Sequence, residues 1–448
     1  MNFPKLISDN EQLNKVYEIA VNDIESNVKK YRGGALTSAK NVFIAGEGYI
    51  EPWTRDASIN VWNGLGLFAP EISKNTLLAV LENDGGKQRV GGQYWDAIVW
   101  VTGAYAYYWF SGDDNFKQTL TEVTVNSLEY FENTEFDEAK NLFRGAACYG
   151  DGVSAYPDIY AASKTSGIED FVKFFPQYKV GKGEGNPMFT LSANCLYYNA
   201  YKIAATLTKE KIYSEKAERL KNAVNSTFWN EEKGNYRYIA DDFGGSEQTE
   251  GLGISFAILF GVAGEERAKK IIKNTFISKQ GIPCLYPEYE RYKPYGIGRH
   301  CGAIWSHINA LWADAAHNYD RKVFECELQS VTARVLKDGC FMEVNHPETG
   351  APYGGVQEWE GKIVEWKSER RQLWCATGYL RMIFKDLLGL EFSEKGLKIR
   401  PMPTNLCREI KVFGLKYRDG EIDINVKDFT KETFIRSDVY GKIREILL

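Results

Sequence analysis

The chain has 448 residues, with 55 Lys and Arg against 60 Asp and Glu and a formal net charge of −5. This balance disfavours the basic surface that nucleic acids require, so we expect no nucleic-acid partner. A hydrophobic fraction of 44% excludes a mostly disordered chain. No apolar run is long enough to span a membrane, and the first fifteen residues lack a signal-peptide core. We therefore expect no membrane partner and a cytoplasmic location.

Amphipathic segments with a helical period of about 3.6 residues recur along most of the chain. They predict helices at residues 10–29, 56–68, 72–81, 96–110, 115–131, 189–207, 214–228, 250–261, 265–276, 301–317, 321–336 and 368–388. Short and long connections alternate between these segments, and strands do not alternate with them, which disfavours a parallel sheet. Six helical hairpins closing into a ring predict an all-α (α/α)6 toroid over residues 1–388. An irregular all-α fold is the alternative.

The composition changes after Gly389 and predicts a small β-rich appendage at residues 389–448, packed on the barrel. Residues 410–417 and 421–426 alternate in polarity on either side of an Arg-Asp-Gly turn, which is typical of a β-hairpin. A helix-like tail is expected at residues 440–447.

Several kinds of site lose support from the sequence. It contains no phosphate-binding loop, dinucleotide fingerprint, HExxH or GxSxG motif. Its eight cysteines are scattered without a CxxC pair, which favours reduced, buried thiols. His300, His307 and His317 are expected to share one helix, at spacings unsuited to a zinc pair. We therefore expect neither a metal nor an organic cofactor.

Aromatic residues make up 14% of the chain, and some lie beside charged residues at predicted helix starts. Trp53, Arg55 and Asp56 together offer a stacking plane, a forked donor and an acceptor, which suit a sugar ring and its hydroxyls. A second cluster, Gln93-Tyr94-Trp95-Asp96, opens another helix. The structural alternative is a helix cap with an ion pair for the first cluster, and a helix cap with core aromatic residues for the second.

Two acids lie in long loops between helices. Asp151 is flanked by glycines in the loop at residues 144–158, and Glu343 precedes a Pro-Glu-Thr-Gly turn in the loop at 339–350. A turn-forming Asp and a solvated Glu are the structural alternatives. On one rim of a toroid, however, two such carboxyl groups would face each other across the central cavity, as an acid and a base acting on a glycosidic bond must.

Five segments in order resemble the six-hairpin glycosidases, the group that includes trehalases, processing α-glucosidase relatives and mannosylglycerate hydrolase. They are PWTRDASINVWNGLG, WDAIVWVTGAYAYYWFSGDDNF, HCGAIWSHINALWADAAHNYD, FMEVNHPETGAP and RRQLWCATGYLRMIFKDLLGLEF. The resemblance extends from about residue 40 to residue 430 and implies the (α/α)6 fold.

The resemblance also implies roles for individual residues. Glu343 matches the general base, and Asp151 is the best match to the general acid. Because the acid loop, YGDGVSAYP, departs from the versions in trehalases and glucosidases, Asp158 and Asp96 remain alternative acids. The expected glycone-binding residues are Trp53, Arg55 and Asp56, and the expected cavity walls are Trp95, Asp96, Trp305 and Trp374.

The implied activity is that of an exo-acting, inverting glycoside hydrolase. Its expected substrate is an α-linked oligosaccharide or a small glycoside, cleaved by general acid and base catalysis without a metal or cofactor. Two other classes stay open. One is a carbohydrate-binding relative without activity, and the other is a sugar epimerase or lyase that works through His300 or His307.

Overall fold

The structure, a computed structural model, describes residues 1–92, 95–393, 395–436 and 443–448. Within these ranges, each of the twelve predicted helices is present, although those predicted at residues 56–68, 301–317 and 368–388 are clearly shorter than expected. The helices are α1 (Glu11–Ser26), α2 (Thr54–Asn60), α3 (Pro70–Ala79), α4 (Trp100–Ser111), α5 (Asp114–Thr134), α6 (Leu191–Thr208), α7 (Lys211–Phe228), α8 (Gly251–Leu259), α9 (Glu265–Asn274), α10 (Ser306–His317), α11 (Arg321–Asp338) and α12 (Leu373–Arg381). Shorter helical turns lie at Gly66–Phe68, Asp158–Ala161 and Phe171–Phe174.

The even-numbered helices form a closed inner ring. Each of them packs against the next, from α2 through α4, α6, α8 and α10 to α12, and α12 packs against α2. Every residue of the inner helix α2 is buried, although most of them are polar, whereas the outer helices α7 and α9 bury one face. Helices α1, α5, α7 and α11 pack against the outside of this ring. The architecture is the predicted (α/α)6 toroid.

Two inner helices are shorter than their sequence patterns predict. Helix α2 passes at Val61–Leu65 into a wide turn in which Gly64 has φ 136°, a conformation that favours glycine. Helix α12 likewise passes into a wide turn at Met382–Leu387. Apolar periodicity continues through both turns, which explains why the sequence predicted longer helices.

The predicted helix at residues 301–317 begins at Ser306. Its first part instead forms a turn at Gly302, with φ 89°, and a short strand at Ile304–Trp305 that pairs with Val344–Asn345. The expectation that three histidines share one helix is therefore wrong. His307 and His317 lie in α10, whereas His300 lies in the preceding loop.

Short hairpins connect the helices. The longer strands are β1 (Lys5–Ser8), β2 (Val28–Tyr31), β3 (Lys40–Phe43), β4 (Leu81–Asp84), β5 (Lys87–Val90), β6 (Val356–Trp359), β7 (Lys362–Glu365), β8 (Leu390–Ser393), β9 (Gly396–Ile399), β10 (Ile410–Tyr417), β11 (Gly420–Val426), β12 (Thr433–Arg436) and β13 (Glu445–Leu447). Two-residue strands lie at Phe136–Asp137, Leu142–Phe143, Phe189–Thr190, Trp229–Asn230, Asn235–Tyr236, Ile239–Ala240, Thr249–Glu250, Leu285–Tyr286, Ile304–Trp305 and Val344–Asn345.

The carboxyl-terminal segment forms two small sheets, with strand orders β1-β10-β11-β13 and β8-β9-β12. The predicted hairpin is present as β10 and β11, and Ile422, Ile424 and Val426 are buried together. The expected helical tail is wrong at Glu445–Leu447, which is a strand parallel to β11, and its residues 440–442 lie outside the described ranges.

The amino-terminal strand β1 joins the carboxyl-terminal sheet, a pairing that the sequence did not predict. Lys5 pairs with Phe413 and Ser8 with Ile410. A domain boundary between residues 388 and 389 stays a prediction.

Two further expectations concern the chain as a whole. None of the described helices combines the length and apolar character that a membrane span requires. All eight cysteines are unpaired, and seven of them are buried, Cys326 being exposed.

The close approach of α2 and α4 generates a stability prediction. A Cβ atom on Gly103 would lie 2.4 Å from the Ser58 carbonyl oxygen, so Gly103→Ala forces these helices apart. We expect a loss of about 1–3 kcal/mol in the free energy of unfolding, measured by urea titration. Gly264→Ala is the control, because a Cβ there meets nothing within 4 Å. Equal losses in both variants would contradict this account of the packing.

Candidate active site

A cavity of about 200 Å³ opens at one rim of the toroid. It brings together the two candidate catalytic acids, Asp151 and Glu343, with five of the expected binding residues: Trp53, Arg55, Asp56, Trp305 and Trp374. The remaining lining residues are Tyr49, Tyr149, Arg299, His300 and Gln372. Residues more than 300 positions apart in the sequence thus share one small space.

The direction of the inner helices explains this convergence. In a ring of hairpins, all inner helices run the same way, so their amino-terminal ends share one rim. Arg55 lies in the first turn of α2, Trp305 immediately precedes α10, and Trp374 lies in the first turn of α12. Helix amino termini carry unpaired N–H groups and partial positive charge, which favours acceptors and anions at this rim.

Arg55 is a buried cation between two carboxylates. Its guanidinium donates to Asp96 Oδ2 at 3.1 Å and to Asp151 Oδ2 at 3.0 Å. Burial lowers the pKa of Arg55, but the negative charges of Asp96 and Asp151 outweigh burial and raise it. The side chain of Asp151 is 38% exposed, so this bridge connects the interior of the ring to the cavity.

Asp96 lies behind Arg55 and does not line the cavity. It is fully buried, and it also accepts a hydrogen bond from the backbone N–H of Tyr149 at 3.2 Å. Tyr149 has φ 58°, which is strained for a bulky residue, and Asp96 helps to hold this conformation two residues before Asp151. Burial raises the pKa of Asp96, and Arg55 opposes that rise.

Neither Trp95 nor Asp158 lines the cavity. Trp95 is buried in a cluster with the loop that carries Asp151, while Gln93 and Tyr94 lie outside the described residues. The Asp158 side chain is 79% exposed and pairs with Arg291 at 2.9 Å. Of the three acids considered as proton donors, the cavity contains Asp151.

Asp56 is buried and lines the cavity. Among the described residues, its Oδ1 has no hydrogen-bond partner. Burial raises the pKa of Asp56 to about 7, and the neighbouring Arg55 acts against this rise. A buried oxygen without a partner beside a cavity is well placed to bind a ligand hydroxyl group.

Glu343 is 4% exposed and is held from several sides, unlike a solvated Glu. Its Oε2 accepts from Arg299 at 2.8 Å and from the backbone N–H of Glu369 at 3.4 Å. Its Oε1 accepts from the Tyr49 hydroxyl at 3.3 Å. Glu343 immediately precedes the two-residue strand at Val344–Asn345, so its backbone is fixed against the start of α10.

Aromatic rings form the walls of the cavity. The rings of Trp305 and His300 stack at 5.1 Å, and those of Trp374 and His307 stack at 4.0 Å. The Gln372 amide is assigned with its oxygen accepting from the Trp374 indole N–H at 3.2 Å. These contacts fix the indole planes before any ligand binds.

The two histidines beside this wall differ in access. Burial lowers the pKa of His300 to about 4 and that of His307 to about 3, so both imidazoles are neutral near pH 7. His300 lines the cavity, whereas His307 is fully buried behind it.

Sequence reasoning missed Tyr49, Tyr149, Arg299 and Gln372, and it did not place His300 among the expected binding residues. Tyr149 and Arg299 lie in segments rich in glycine and aromatic residues, which was the available signal. Nothing in the local sequence of Tyr49 or Gln372 distinguishes them.

In the described part of the chain, Asp314, His317 and Asp386 form a group with the spacing of metal ligands. Asp314 is already paired with Arg381 and Lys385, and both of these cations disfavour a metal ion there. The group therefore resembles a buried ion-pair network more than a metal site.

No curated protein matches the sequence. Residues 84–368 match the family described as the mannosylglycerate hydrolase MGH1-like glycoside hydrolase domain. The chain belongs to this glycoside hydrolase family. The resemblance to six-hairpin glycosidases that the sequence indicated is thereby confirmed.

Solved structures of other glycosidases share the fold of this family member. A sialidase superimposes with a TM-score of 0.68 at 14% identity, covering 97% of this chain and 40% of its own. The GH63 mannosylglycerate hydrolase from Thermus thermophilus, solved with glucose, gives a TM-score of 0.59 at 13% identity, and the match covers 82% of this chain and 100% of that one. Neutral trehalase from Saccharomyces cerevisiae gives a TM-score of 0.52 at 12% identity, and the match covers 82% of this chain and 79% of that one. The chain thus spans less than half of the sialidase's length.

The Arg55 bridge generates a prediction about this family member. In Arg55→Lys, one ammonium cannot serve Asp96 and Asp151 together, so we expect kcat/KM to fall by on the order of 10². Arg89→Lys is a matched control, because Arg89 likewise bridges two carboxylates, Glu82 and Asp84, on a hairpin outside the cavity. Its kcat/KM should stay near the wild-type value. Equal losses of activity in both variants would show that Arg55 acts through general stability.

Proposed function

We propose that this protein is an exo-acting, inverting glycoside hydrolase that cleaves an α-linked oligosaccharide or a small glycoside. The observation that carries the proposal is that Asp151 and Glu343, from separate loops, line the same cavity. Its volume of about 200 Å³ is small beside the roughly 300–1,000 Å³ of typical ligand pockets, which supports binding of one terminal sugar.

Asp151 is the proposed general acid. It is the more exposed of the two carboxyl groups, as a proton donor to a departing group near the cavity mouth should be. After it gives its proton to the glycosidic oxygen, its carboxylate remains beside Arg55, which stabilises the new negative charge.

Glu343 is the proposed general base. Arg299 and Tyr49 hold its carboxylate in place, and burial shields it from bulk solvent. It would take a proton from a water molecule that attacks the anomeric carbon on the face opposite the leaving oxygen.

The glycone is proposed to lie against Trp53, Trp305 and Trp374, whose rings suit the apolar faces of a sugar. Arg55 and the unpartnered oxygen of Asp56 would bind its hydroxyl groups. The structure of the Thermus mannosylglycerate hydrolase has been solved with Tris and D-glycerate, so a glycosylglycerate belongs among the substrates to test.

A sugar epimerase or lyase is the second candidate, supported by one observation. His300 lines the cavity as a neutral imidazole that could accept a proton from a sugar carbon. An isomerised or unsaturated product would favour this class, and binding without turnover would favour a carbohydrate-binding relative.

The stereochemistry of the first product tests the inverting proposal. An inverting pair holds its carboxyl groups about 6.5–9.5 Å apart with a water molecule between, whereas a retaining pair lies about 5–5.5 Å apart. We expect proton NMR, recorded within minutes of adding an α-linked substrate, to show the β-anomer before mutarotation. Initial release of the α-anomer would contradict the inverting assignment.

The two catalytic roles predict different dependence on the leaving group. Asp151→Asn should abolish turnover of substrates with poor leaving groups but spare part of the activity on glycosyl fluorides, which need little protonation. Glu343→Gln should disable both kinds, because water activation is always required. Asp158→Asn and Asp96→Asn are the comparison variants, measured by the ratio of kcat/KM for the two substrates. If either of them shows the leaving-group effect and Asp151→Asn does not, the acid has been misassigned.

A further inference from the structure

A small cluster of polar groups lies directly behind Asp151. The His300 Nδ1 atom is 3.2 Å from Ser154 Oγ and 3.4 Å from Gln357 Oε1. Gly152 allows this close packing, because a Cβ there would lie 2.0 Å from Gln357 Oε1 and 2.5 Å from His300 Nδ1. The cluster joins the acid loop, the loop before α10 and strand β6.

The hydrogen bonds in this cluster determine which nitrogen of His300 carries the proton. The Ser154 hydroxyl donates its single proton to Gln357 Oε1 at 2.8 Å, and its oxygen accepts from the His300 backbone N–H at 3.0 Å. With the Gln357 amide oxygen toward the ring, both groups that face His300 Nδ1 are acceptors, and this arrangement assigns the proton to Nδ1. In the neutral ring, Nε2 then has a lone pair and no proton.

This lone pair faces the proposed acid. His300 Nε2 lies 3.5 Å from Asp151 Oδ1, while Arg55 donates to the other oxygen, Oδ2. A lone pair opposite an ionised carboxylate oxygen is repulsive, whereas a lone pair opposite a protonated oxygen accepts a hydrogen bond. The two partners therefore favour a proton on Oδ1 and not on Oδ2.

We infer that His300 is a positioning residue that keeps a proton on Asp151 Oδ1 in the free enzyme, through a long hydrogen bond that the glycosidic oxygen of the substrate replaces. The inference rests on the proposed function in taking Asp151 as the acid. During turnover the Asp151 O–H bond and the glycosidic bond break, and the leaving oxygen gains the proton. Water adds to the anomeric carbon and gives its proton to Glu343, while the protonation of His300 does not change.

Other charged groups surround this pair and act on it. On α2 and before α4 they are Arg55, Asp56 and Asp96, and on the rim loops they are Tyr49, Glu169, Arg299 and Glu343. Burial is the largest influence on His300 and lowers its pKa to about 4, with Arg299 and Arg55 acting in the same direction and Asp151 against it. The ring is therefore neutral over the pH range in which the acid must hold its proton.

Nitrogen NMR of the unmodified protein tests the tautomer directly. The sequence contains four histidines, so isotopic labelling of the histidine nitrogens gives few signals. We expect His300 to be neutral from about pH 6 to 8, with a proton on Nδ1 and a bare Nε2. The signal is assigned by its loss in His300→Gln or, if that variant does not fold, by the change of its Nε2 shift in Asp151→Asn. An Nε2–H tautomer or an imidazolium would overturn the inference.

The pH dependence of kcat/KM separates positioning from a purely structural role. On a substrate with a poor leaving group, kcat/KM of His300→Phe should begin to fall at a pH about half to one unit lower than that of the wild type. The reason is that the protonated acid loses a hydrogen-bond acceptor. His300→Gln, whose amide oxygen can accept, should lower this pH less. On a glycosyl fluoride, which needs little protonation, the pH dependence of kcat/KM should be the same in both variants as in the wild type.

The other outcomes are equally distinct. Equal losses on both substrates with an unchanged pH dependence would show that His300 is structural and overturn the inference. If Asp151→Asn lacks the leaving-group effect while the NMR tautomer is as expected, the proposed acid fails and the geometry of His300 stands.

Discussion

The arrangement of the cavity depends on the buried positive charge of Arg55. A guanidinium removed from water is costly unless negative charge and hydrogen-bond acceptors surround it. Asp96 supplies the charge, and Oδ2 of Asp151 supplies a second acceptor. Asp96 is fixed in the interior, and Asp151 borders the cavity. The requirement to satisfy the donors of Arg55 thus holds the acid loop against the inner ring, and the strained backbone of Tyr149 is part of the same attachment.

The two carboxyl groups are held in different ways, and this difference suits different roles. Glu343 is enclosed by Arg299, Tyr49 and a backbone N–H, so its position is set on several sides. Asp151 has Arg55 on one oxygen and the neutral His300 ring near the other, and more of it is exposed. The more exposed Asp151 therefore suits the proposed proton donor, and the enclosed Glu343 suits the proposed proton acceptor.

Much of the fold could be predicted from the sequence, because apolar periodicity reports burial and the helical hairpins are local. Periodicity could not show where α2 and α12 pass into wide turns, since the apolar pattern continues through them. It also could not show that residues 301–305 leave the helix and separate His300 from His307, because the strand at Ile304–Trp305 forms through pairing with a segment some 40 residues away.

The residues of the candidate site, too, could be predicted from the sequence only in part. Trp53, Arg55 and Asp56 are close together in the sequence, so the sequence alone indicated that they could bind a sugar. Asp151 and Glu343 could be predicted because they lie in long loops between helices. The roles of Arg299 and Asp96 depend on partners some 40 residues away in the chain, Glu343 and Arg55, and such pairs form only when neighbouring hairpins pack together. The resemblance implied that Asp96 is a cavity wall, yet tertiary packing buries it behind Arg55.

Ring closure also has a consequence for the order of events during synthesis. Helix α12 completes the circle against α2, where the Thr377 hydroxyl donates to Asn60 Oδ1 at 2.7 Å, and β1 finds its partner in β10. A nascent chain that ends before residue 373 has an open arc, because α12 has not yet been made. Contacts between such distant parts of a chain slow folding and leave unfinished surfaces prone to association. The ring can therefore close only near the end of synthesis.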